Sequence, residues 1–326
     1  MKPLIQMTRT GLKFSGLTKD LHRLRREFDR QHCVCLPNIF EKELLKEIDQ
    51  VIEQAHFHKR IHRDVGVESC MRLNKAYRLL LFLANDSKFF DKIQKITGCD
   101  DIGCFSGRVY RMVPGQGHYD SWHSDIDGKN GRLIAMSINL SKEVYDGGSL
   151  QIRQGESGKI IYEIENVGFG DAIIFRLDSC LQHRLTTLKG KRAKTAFAGW
   201  FQSHPKFTFH LKKKIRHGLS LRRHSRIPRF IMDHPIKPAE DVAFINVGPN
   251  TALLEAQNGF YYKLDPVGSR IWDLMRKKHN FGAVVKTLSE EYDADSKRIE
   301  KDTLCLVRHL YSNGLVENEI NGNSPL

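Results

Sequence analysis

Two histidines and an aspartate occur in this sequence in the order that an iron site requires. His123-Ser124-Asp125 places an imidazole and a carboxylate two residues apart, and His183 follows further along the chain. Two neutral imidazoles and one carboxylate on one face of Fe(II) leave coordination positions open for a co-substrate and O2. The three residues therefore predict a mononuclear iron site and favour oxygenase chemistry.

The residues between and after these three predict the strands that would bring them together. Strands are predicted at residues 132–140, 149–153, 172–175 and 194–202 from their apolar or alternating patterns. The turn Asp146-Gly147-Gly148 implies that the first two strands pair as a hairpin. We expect an antiparallel double-sheet roll from about residue 107 to residue 203, with the metal at its open end.

Five segments in this region carry a resemblance to a known family. They are YRMVPGQGHYDSWHSD at residues 110–125, YDGGSL at 145–150, GDAIIF at 170–175, His183, and GWF at 199–201. Their residues and their order resemble the prolyl 4-hydroxylase branch of the Fe(II)/2-oxoglutarate-dependent oxygenases, over most of residues 30–205. The resemblance implies an α+β fold, in which helices support an antiparallel double-stranded β-helix, or jelly roll.

The same resemblance implies cofactors and a reaction. Fe(II) would be held by His123, Asp125 and His183, with 2-oxoglutarate and O2 as co-substrates and ascorbate as an optional reductant. Such enzymes couple decarboxylation of 2-oxoglutarate to oxidation of an unactivated C–H bond, usually to an alcohol. Related halogenating enzymes lack the carboxylate ligand, and Asp125 is present here. Hydroxylation is therefore the expected outcome.

The family also uses a cation in the closing strand to bind the distal carboxylate of 2-oxoglutarate. Counting from His183 and Gly190 assigns this role to Arg192, whereas counting back from Trp200 assigns it to Lys194. Side chains two residues apart in a strand share a face, so both would lie on the same side of the sheet. Lys194 is favoured because it requires no insertion in the strand, and Arg192 stays open as the alternative.

Upstream residues predict the helical support for the roll, and residues 1–205 are assigned to the oxygenase domain. Residues 40–55 place Leu44, Leu45 and Ile48 on one helical face, and a second helical run is expected from residue 78 to residue 97. At 326 residues the chain is longer than one typical domain.

Composition bears on the compartment. The seven cysteines are odd in number and lack paired metal-ligand spacing, which suits reduced thiols. There is no apolar run of membrane-spanning length and no secretory signal pattern. We expect a cytoplasmic protein with no membrane partner.

Positive charge is concentrated before the C-terminal region. The chain carries a formal net charge of +14, although residues 241–326 hold 10 basic and 12 acidic residues. The densest run, Lys212 to Arg229, has eight Lys or Arg residues and no acid. Residues 206–240 are assigned to a basic linker, which would be a solvated connector or a non-specific site for nucleic acid or another anionic partner.

The remaining chain predicts a second domain over residues 241–320, with a winged-helix-like arrangement. Short strands are expected at Leu253-Leu254 and residues 260–264 around an Asn258-Gly259 turn. Helices are expected at residues 267–276, 281–292 and 296–312 from their apolar faces.

This domain resembles the PqqD-like family of peptide-recognition elements. The matching residues are GFYYKL at 259–264, Ile271-Trp272, Tyr292, Asp302 and GLV at 314–316. In that family the leader of a precursor peptide adds as a strand to the edge of the sheet. Arg270, Trp272 and Tyr261 are candidate contacts, but core packing is the expected role of the two aromatic residues.

The two resemblances together lead to a functional hypothesis. A domain that holds the leader raises the effective concentration of the attached core peptide at a tethered active site. We therefore expect a hydroxylase of a ribosomally synthesised precursor peptide. The alternatives are a nucleic-acid-directed oxygenase that uses Lys212 to Arg229, and a non-catalytic peptide-binding protein.

Overall fold

A computed structural model describes residues 3–126, 131–156, 158–205, 207, 236–255, 259–278 and 280–318. The chain divides into two compact units, residues 1–210 and residues 211–326. The basic run Lys212 to Arg229 lies outside the described residues. No helix in the described part of the chain is long and apolar enough to cross a membrane.

The first unit contains four helices and thirteen strands among its described residues. The helices are α1 (Thr18–Gln31), α2 (Lys42–Glu53), α3 (Lys75–Leu83) and α4 (Ser87–Thr97). The strands are β1 (Ile5–Thr8), β2 (Gly11–Phe14), β3 (Cys33–Leu36), β4 (Phe57–His62), β5 (Gly66–Met71), β6 (Cys104–Met112), β7 (Tyr119–His123), β8 (Arg132–Asn139), β9 (Leu150–Gln154), β10 (Ile160–Ile164), β11 (Ala172–Arg176), β12 (Leu181–Leu185) and β13 (Lys194–Gln202).

Eleven of these strands form one curled antiparallel sheet, which is the jelly roll. Its order is β10-β9-β12-β7-β5-β6-β13-β8-β11-β3, and β4 pairs with β5 beside this path. The predicted fold class, an α+β jelly roll with supporting helices, is confirmed.

Alternation along β13 explains how this sheet separates a core from a cavity. Phe201 packs against Phe89 and Phe90 of α4, with ring centroids 5.7 and 6.0 Å away. Residues one position away along the strand face the opposite side. Lys194 and Trp200 accordingly line the cavity inside the roll.

Two local predictions in this unit are wrong. β8 pairs with β11 and β13, and β9 pairs with β10 and β12, so these strands do not form a hairpin. Gly147 and Gly148, with φ of 77° and 67°, instead carry the chain from one half of the roll to the other. The helical run predicted over residues 78–97 is two helices, because Asp86 caps α4 through its side chain.

The second unit has its own apolar core. Its described elements are β14 (Ile236–Pro238), β15 (Val242–Val247), β16 (Asn250–Glu255), β17 (Phe260–Leu264), α5 (Pro266–Lys278), α6 (Phe281–Glu291), α7 (Ser296–Ser312) and β18 (Val316–Asn318). β15, β16 and β17 form an antiparallel sheet, and Trp272 of α5 packs edge-on against Phe244 of β15 at 5.7 Å. The three predicted helices are present.

The start of the second unit differs from the boundary predicted at residue 241. Ile236–Pro238, assigned by sequence to the basic linker, pairs as β14 with β18 near the end of the chain. Ile236 is buried in the core of this unit. Three residues give too short a pattern to predict a strand whose partner lies about eighty residues away.

Candidate iron and 2-oxoglutarate site

The two histidines lie opposite each other on paired strands. His123 ends β7, His183 lies in β12, and the two are direct partners in the antiparallel register. Directly opposed residues project from the same face of a sheet. Their ring centroids are accordingly 4.3 Å apart.

Asp125 completes the group just past the end of β7. Its carboxylate oxygens lie 3.3 Å from Nε2 of His183 and 3.8 Å from Nε2 of His123. One possible ligand atom from each of the three residues lies within 4.8 Å of the other two. Two imidazole nitrogens and one carboxylate in one small cluster match the donors that Fe(II) takes in a facial triad.

Neighbouring groups orient these ligands. Nδ1 of His123 donates to the backbone carbonyl of Ser121 at 2.8 Å, which leaves Nε2 as the nitrogen with a free lone pair. Trp200 Nε1 donates to Asp125 Oδ2 at 2.6 Å, and Arg132 Nη1 donates to Oδ1 at 3.0 Å. Trp200 and Arg132 are outer residues of the site that sequence reasoning missed.

The ionisation state of Asp125 suits metal binding. Burial by itself raises the pKa of this carboxyl, but hydrogen bonding and charge from His183, with the Trp200 indole and His123, outweigh it and hold the pKa well below its usual range. The carboxylate is thus ionised at any physiological pH.

A cavity of about 390 Å³ opens on these residues and also contains Lys194. Lys194 is only 6% exposed, and its Nζ donates to the carbonyl of Gly148 at 2.6 Å. The same ammonium lies 5.7 Å from the centroid of the Tyr145 ring. Burial lowers the pKa of Lys194 to about 8, and the negative charge of Asp120 partly opposes this shift.

Arg192 lies in a different environment. It precedes β13, which begins at Lys194, so the prediction that both cations share one face of a strand is wrong. Its side chain is 57% exposed and forms an ion pair with Glu143. Arg192 does not line the cavity that contains His123, Asp125 and His183.

A second charged group lines the cavity and was not predicted. Glu68 of β5 is 6% exposed and accepts hydrogen bonds from Arg108 of β6, through both carboxylate oxygens, and from His62 of β4 at 3.0 Å. Burial would raise the pKa of Glu68, but Arg108, followed by His62 and Cys70, makes the net shift downward. The lone charged residue in the segment GVESCM at residues 66–71 was the available signal.

The candidate peptide contacts of the second unit divide into two groups. Trp272 is 2% exposed and Tyr261 is 7% exposed, so both belong to the core, as expected. Arg270 is partly exposed and forms an ion pair with Glu291 of α6. Within the described residues, β15 and β17 are the two edges of the three-stranded sheet.

Comparisons with known proteins match each unit separately. Residues 107–202 match the family model of the 2OG-Fe(II) oxygenase superfamily, and residues 250–316 match that of coenzyme PQQ synthesis protein D (PqqD). None of the curated proteins matches the chain.

Three solved structures illustrate the similarity. A 2OG-Fe(II) oxygenase family oxidoreductase from Burkholderia pseudomallei is 16% identical, over 62% of this chain and 97% of that one, with a TM-score of 0.43. A prolyl-4-hydroxylase from Pseudomonas putida is 15% identical, over 57% and 100%, with a TM-score of 0.42. TbiB1 in complex with the TbiA(beta) leader peptide is 30% identical, over 27% and 99%, with a TM-score of 0.24.

The jelly roll with its histidine and aspartate ligands defines an Fe(II)- and 2-oxoglutarate-dependent oxygenase. This chain joins such an oxygenase domain, of the 2OG-Fe(II) superfamily, to a C-terminal PqqD domain.

Proposed function

We propose that this protein hydroxylates a side chain of a ribosomally synthesised precursor peptide whose leader is held by the C-terminal domain. The balanced reaction converts the peptide C–H, 2-oxoglutarate and O2 into the C–OH, succinate and CO2. The observation that carries the proposal is the joining, in one chain, of the His123, Asp125 and His183 cluster to a PqqD domain.

Lys194 is the proposed anchor for the distal carboxylate of 2-oxoglutarate. Its ammonium is buried in the same cavity as the iron ligands, where a charged hydrogen bond is strong. Its pKa of about 8 keeps most of it protonated at neutral pH, and a bound carboxylate would raise that fraction further. The exposed ion pair with Glu143 argues against Arg192 in this role.

The remaining residues of the site have positioning roles in this proposal. Fe(II) bound by the two histidines and Asp125 would supply the oxidising chemistry. Trp200 and Arg132 fix both oxygens of Asp125, so that the carboxylate stays oriented between turnovers.

The C-terminal domain is the proposed leader-binding element. An open edge of its three-stranded sheet can accept an extended peptide through backbone hydrogen bonds. Holding the leader there would keep the core peptide near the oxygenase at a high effective concentration. A cytoplasmic location is also proposed, because all seven cysteines are free thiols.

The test uses the full-length protein as bait for peptides from lysate of the source organism. Captured peptides are then incubated with Fe(II), 2-oxoglutarate and O2, while succinate and peptide mass are followed. Formation of one succinate for each added oxygen atom supports the proposal. Capture of a peptide that is never oxidised, with peptide-independent succinate formation, would overturn the hydroxylase assignment but leave the oxygenase intact.

Nucleic acid is the alternative partner, through the basic run Lys212 to Arg229. Binding of this kind would weaken steeply with salt and would be insensitive to sequence. Titration of a labelled random DNA duplex at two salt concentrations measures it. Retention of DNA but of no peptide at physiological salt would favour this alternative.

A further inference from the structure

β4 is the strand of the oxygenase unit that pairs with β5 beside the path of the main sheet. This strand pairs with β5 over all six of its residues, from Phe57 opposite Met71 to His62 opposite Gly66. Among the described residues, no strand pairs with its other edge. The four central residues, 58–61, are exposed. β4 is therefore an open edge of the main sheet, about 20 Å long at the usual rise per residue.

The two faces of β4 differ in what they meet. Arg60 and His62, two residues apart, both line the cavity that contains the iron ligands. On the opposite face, the ring of Phe57 lies 4.2 Å from the guanidinium of Arg111. His58 shares the face of Arg60 by alternation, whereas Lys59 shares the face of Phe57. The cavity side of this edge thus carries His58, Arg60 and His62.

The carboxylate opposite Arg60 is already paired with other residues. Glu68 lies directly opposite Arg60 in the strand register, but its carboxylate is taken by Arg108 and His62. Arg60 itself forms no ion pair with any described residue, and its contact with Cys70 Sγ is 3.9 Å long. An exposed arginine at the mouth of the cavity is consequently available to a carboxylate from outside.

The hairpin of β4 and β5 is fixed relative to the iron ligands. Ser121 of β7 donates from its backbone and from its hydroxyl to the carbonyl of Val65, at 2.8 and 2.7 Å. Gly66 packs so closely on β7 that an added Cβ would lie 2.5 Å from the carbonyl oxygen of Tyr119. His123 is at the end of this same β7. A peptide on the edge of β4 would therefore lie at a defined position relative to the metal.

We propose that the open edge of β4 binds an extended, acidic segment of the substrate peptide as an added strand, with a carboxylate of the segment on Arg60. This is a second peptide site, separate from the C-terminal domain, and its role in catalysis rests on the proposed function. Backbone pairing supplies affinity, and side chains at alternate positions supply specificity. Charged residues, inward-pointing ones included, also protect edge strands from self-pairing, so Lys59 and Arg60 both keep β4 from pairing with a second copy of the chain.

The test compares two charge reversals on neighbouring residues of one strand. Full-length wild type, Arg60→Glu and Lys59→Glu are loaded with Mn(II) and 2-oxoglutarate, so that the cavity is filled but no oxidation occurs. Each is panned against the same random decapeptide library. Wild type and Lys59→Glu should enrich Asp or Glu at one position, and Arg60→Glu should enrich Lys or Arg there instead.

The expected change is a fall in acidic enrichment of up to about fivefold, the upper end of the range found for exposed ion pairs. No acidic enrichment in wild type, or the same enrichment in Arg60→Glu, would overturn the proposal. An equal loss in Lys59→Glu would also overturn it, because the effect would then be general attraction. If Arg60→Glu fails to fold, Arg60→Gln takes its place, and full retention of acidic enrichment in that variant refutes the site.

Failure of this inference is distinguishable from failure of the proposed function. Panning needs no turnover, so acidic selection can be observed even if no captured peptide is ever hydroxylated. Conversely, a precursor could be hydroxylated while wild type and Arg60→Glu select the same peptides. That result would support the proposed function and refute only the peptide site on β4.

Discussion

The interiors of the two units differ in the kind of side chain that they bury. The oxygenase unit buries His183, Lys194, Glu68, Asp49 and Asp86, whereas the buried polar residues described in the second unit are two threonines, Thr251 and Thr303. Burying an ionisable group is unfavourable unless it is paired or hydrogen-bonded. In the first unit His183, Lys194 and Glu68 line the cavity, whereas Asp86 caps α4 and Asp49 pairs with Lys142. The described interior of the second unit serves only packing. We therefore place chemistry inside the first unit and, in keeping with the proposed function, peptide recognition on the surface of the second.

The largest expected effect comes from removing a metal ligand. Asp125→Ala should lower succinate formation by more than about 100-fold, since even outer residues of metal sites contribute tenfold to 100-fold. Capture of a peptide by the second unit should be unchanged. Asp100→Ala, an exposed aspartate of the same unit, is the matched control. Loss of peptide capture in Asp125→Ala would show that the two units are not independent.

A core substitution in the second unit should have the converse result. Trp272→Ala removes a side chain that is 2% exposed and should destabilise this unit by about 3–5 kcal/mol. Thermal unfolding followed by calorimetry would show one transition lowered and the other retained. Capture of a precursor through its leader should be lost, while peptide-independent consumption of 2-oxoglutarate should stay at the wild-type rate. Parallel loss of both activities would contradict the division of labour.

Substitutions of the two cations near β13, Lys194 and Arg192, should have different effects on the KM for 2-oxoglutarate. Lys194→Gln should raise the KM for 2-oxoglutarate about 100-fold, because the distal carboxylate would be left buried without a counter-charge. Arg192→Gln should change it less than about twofold, since this side chain is exposed and already paired. A larger rise in KM for Arg192→Gln than for Lys194→Gln would make Arg192 the anchor and would require the loop before β13 to rearrange.

The smallest effect concerns the pH dependence of stability without co-substrate. The pKa of Lys194 in the folded state is about 8, below the ordinary 10.5. As the pH rises, the folded state therefore loses this proton before the unfolded state does. The contribution of Lys194 to the free energy of unfolding is therefore lowest below pH 8 and rises between pH 8 and pH 10.5. Relative to Lys194→Met, the wild-type free energy of unfolding should rise by up to about 2 kcal/mol from pH 8 to pH 10.

Denaturant unfolding of the wild type and of Lys194→Met measures this difference. The titrations of all other groups occur in both proteins and therefore cancel. Saturating 2-oxoglutarate with a redox-inert metal should oppose the rise, because a bound carboxylate stabilises the charged lysine. A wild-type curve parallel to that of Lys194→Met would mean that the lysine is solvated.

Features determined by residues close together in the chain could be predicted from the sequence, whereas features determined by strand pairing could not. The cluster of His123, Asp125 and His183 was predictable because His123 and Asp125 are two residues apart and His183 lies in a strand of recognisable pattern. Lys194 and Arg192 could not be separated, since the choice depends on the residue at which β13 begins. Glu68 and Arg108 were missed because strand pairing, rather than proximity in the chain, brings them together. The incorrect hairpin between β8 and β9 has the same origin, because a pattern predicts a strand but not its partner.

The direct pairing of His123 with His183 has a practical consequence for producing the protein. Sliding β7 against β12 by one residue would turn one imidazole to the other face of the sheet. A chain with that slip could keep most of its hydrogen bonds and its compactness, yet it would hold no iron. The number of iron atoms bound per chain would then count the molecules whose strands are correctly aligned, which ordinary tests of purity and solubility do not reveal.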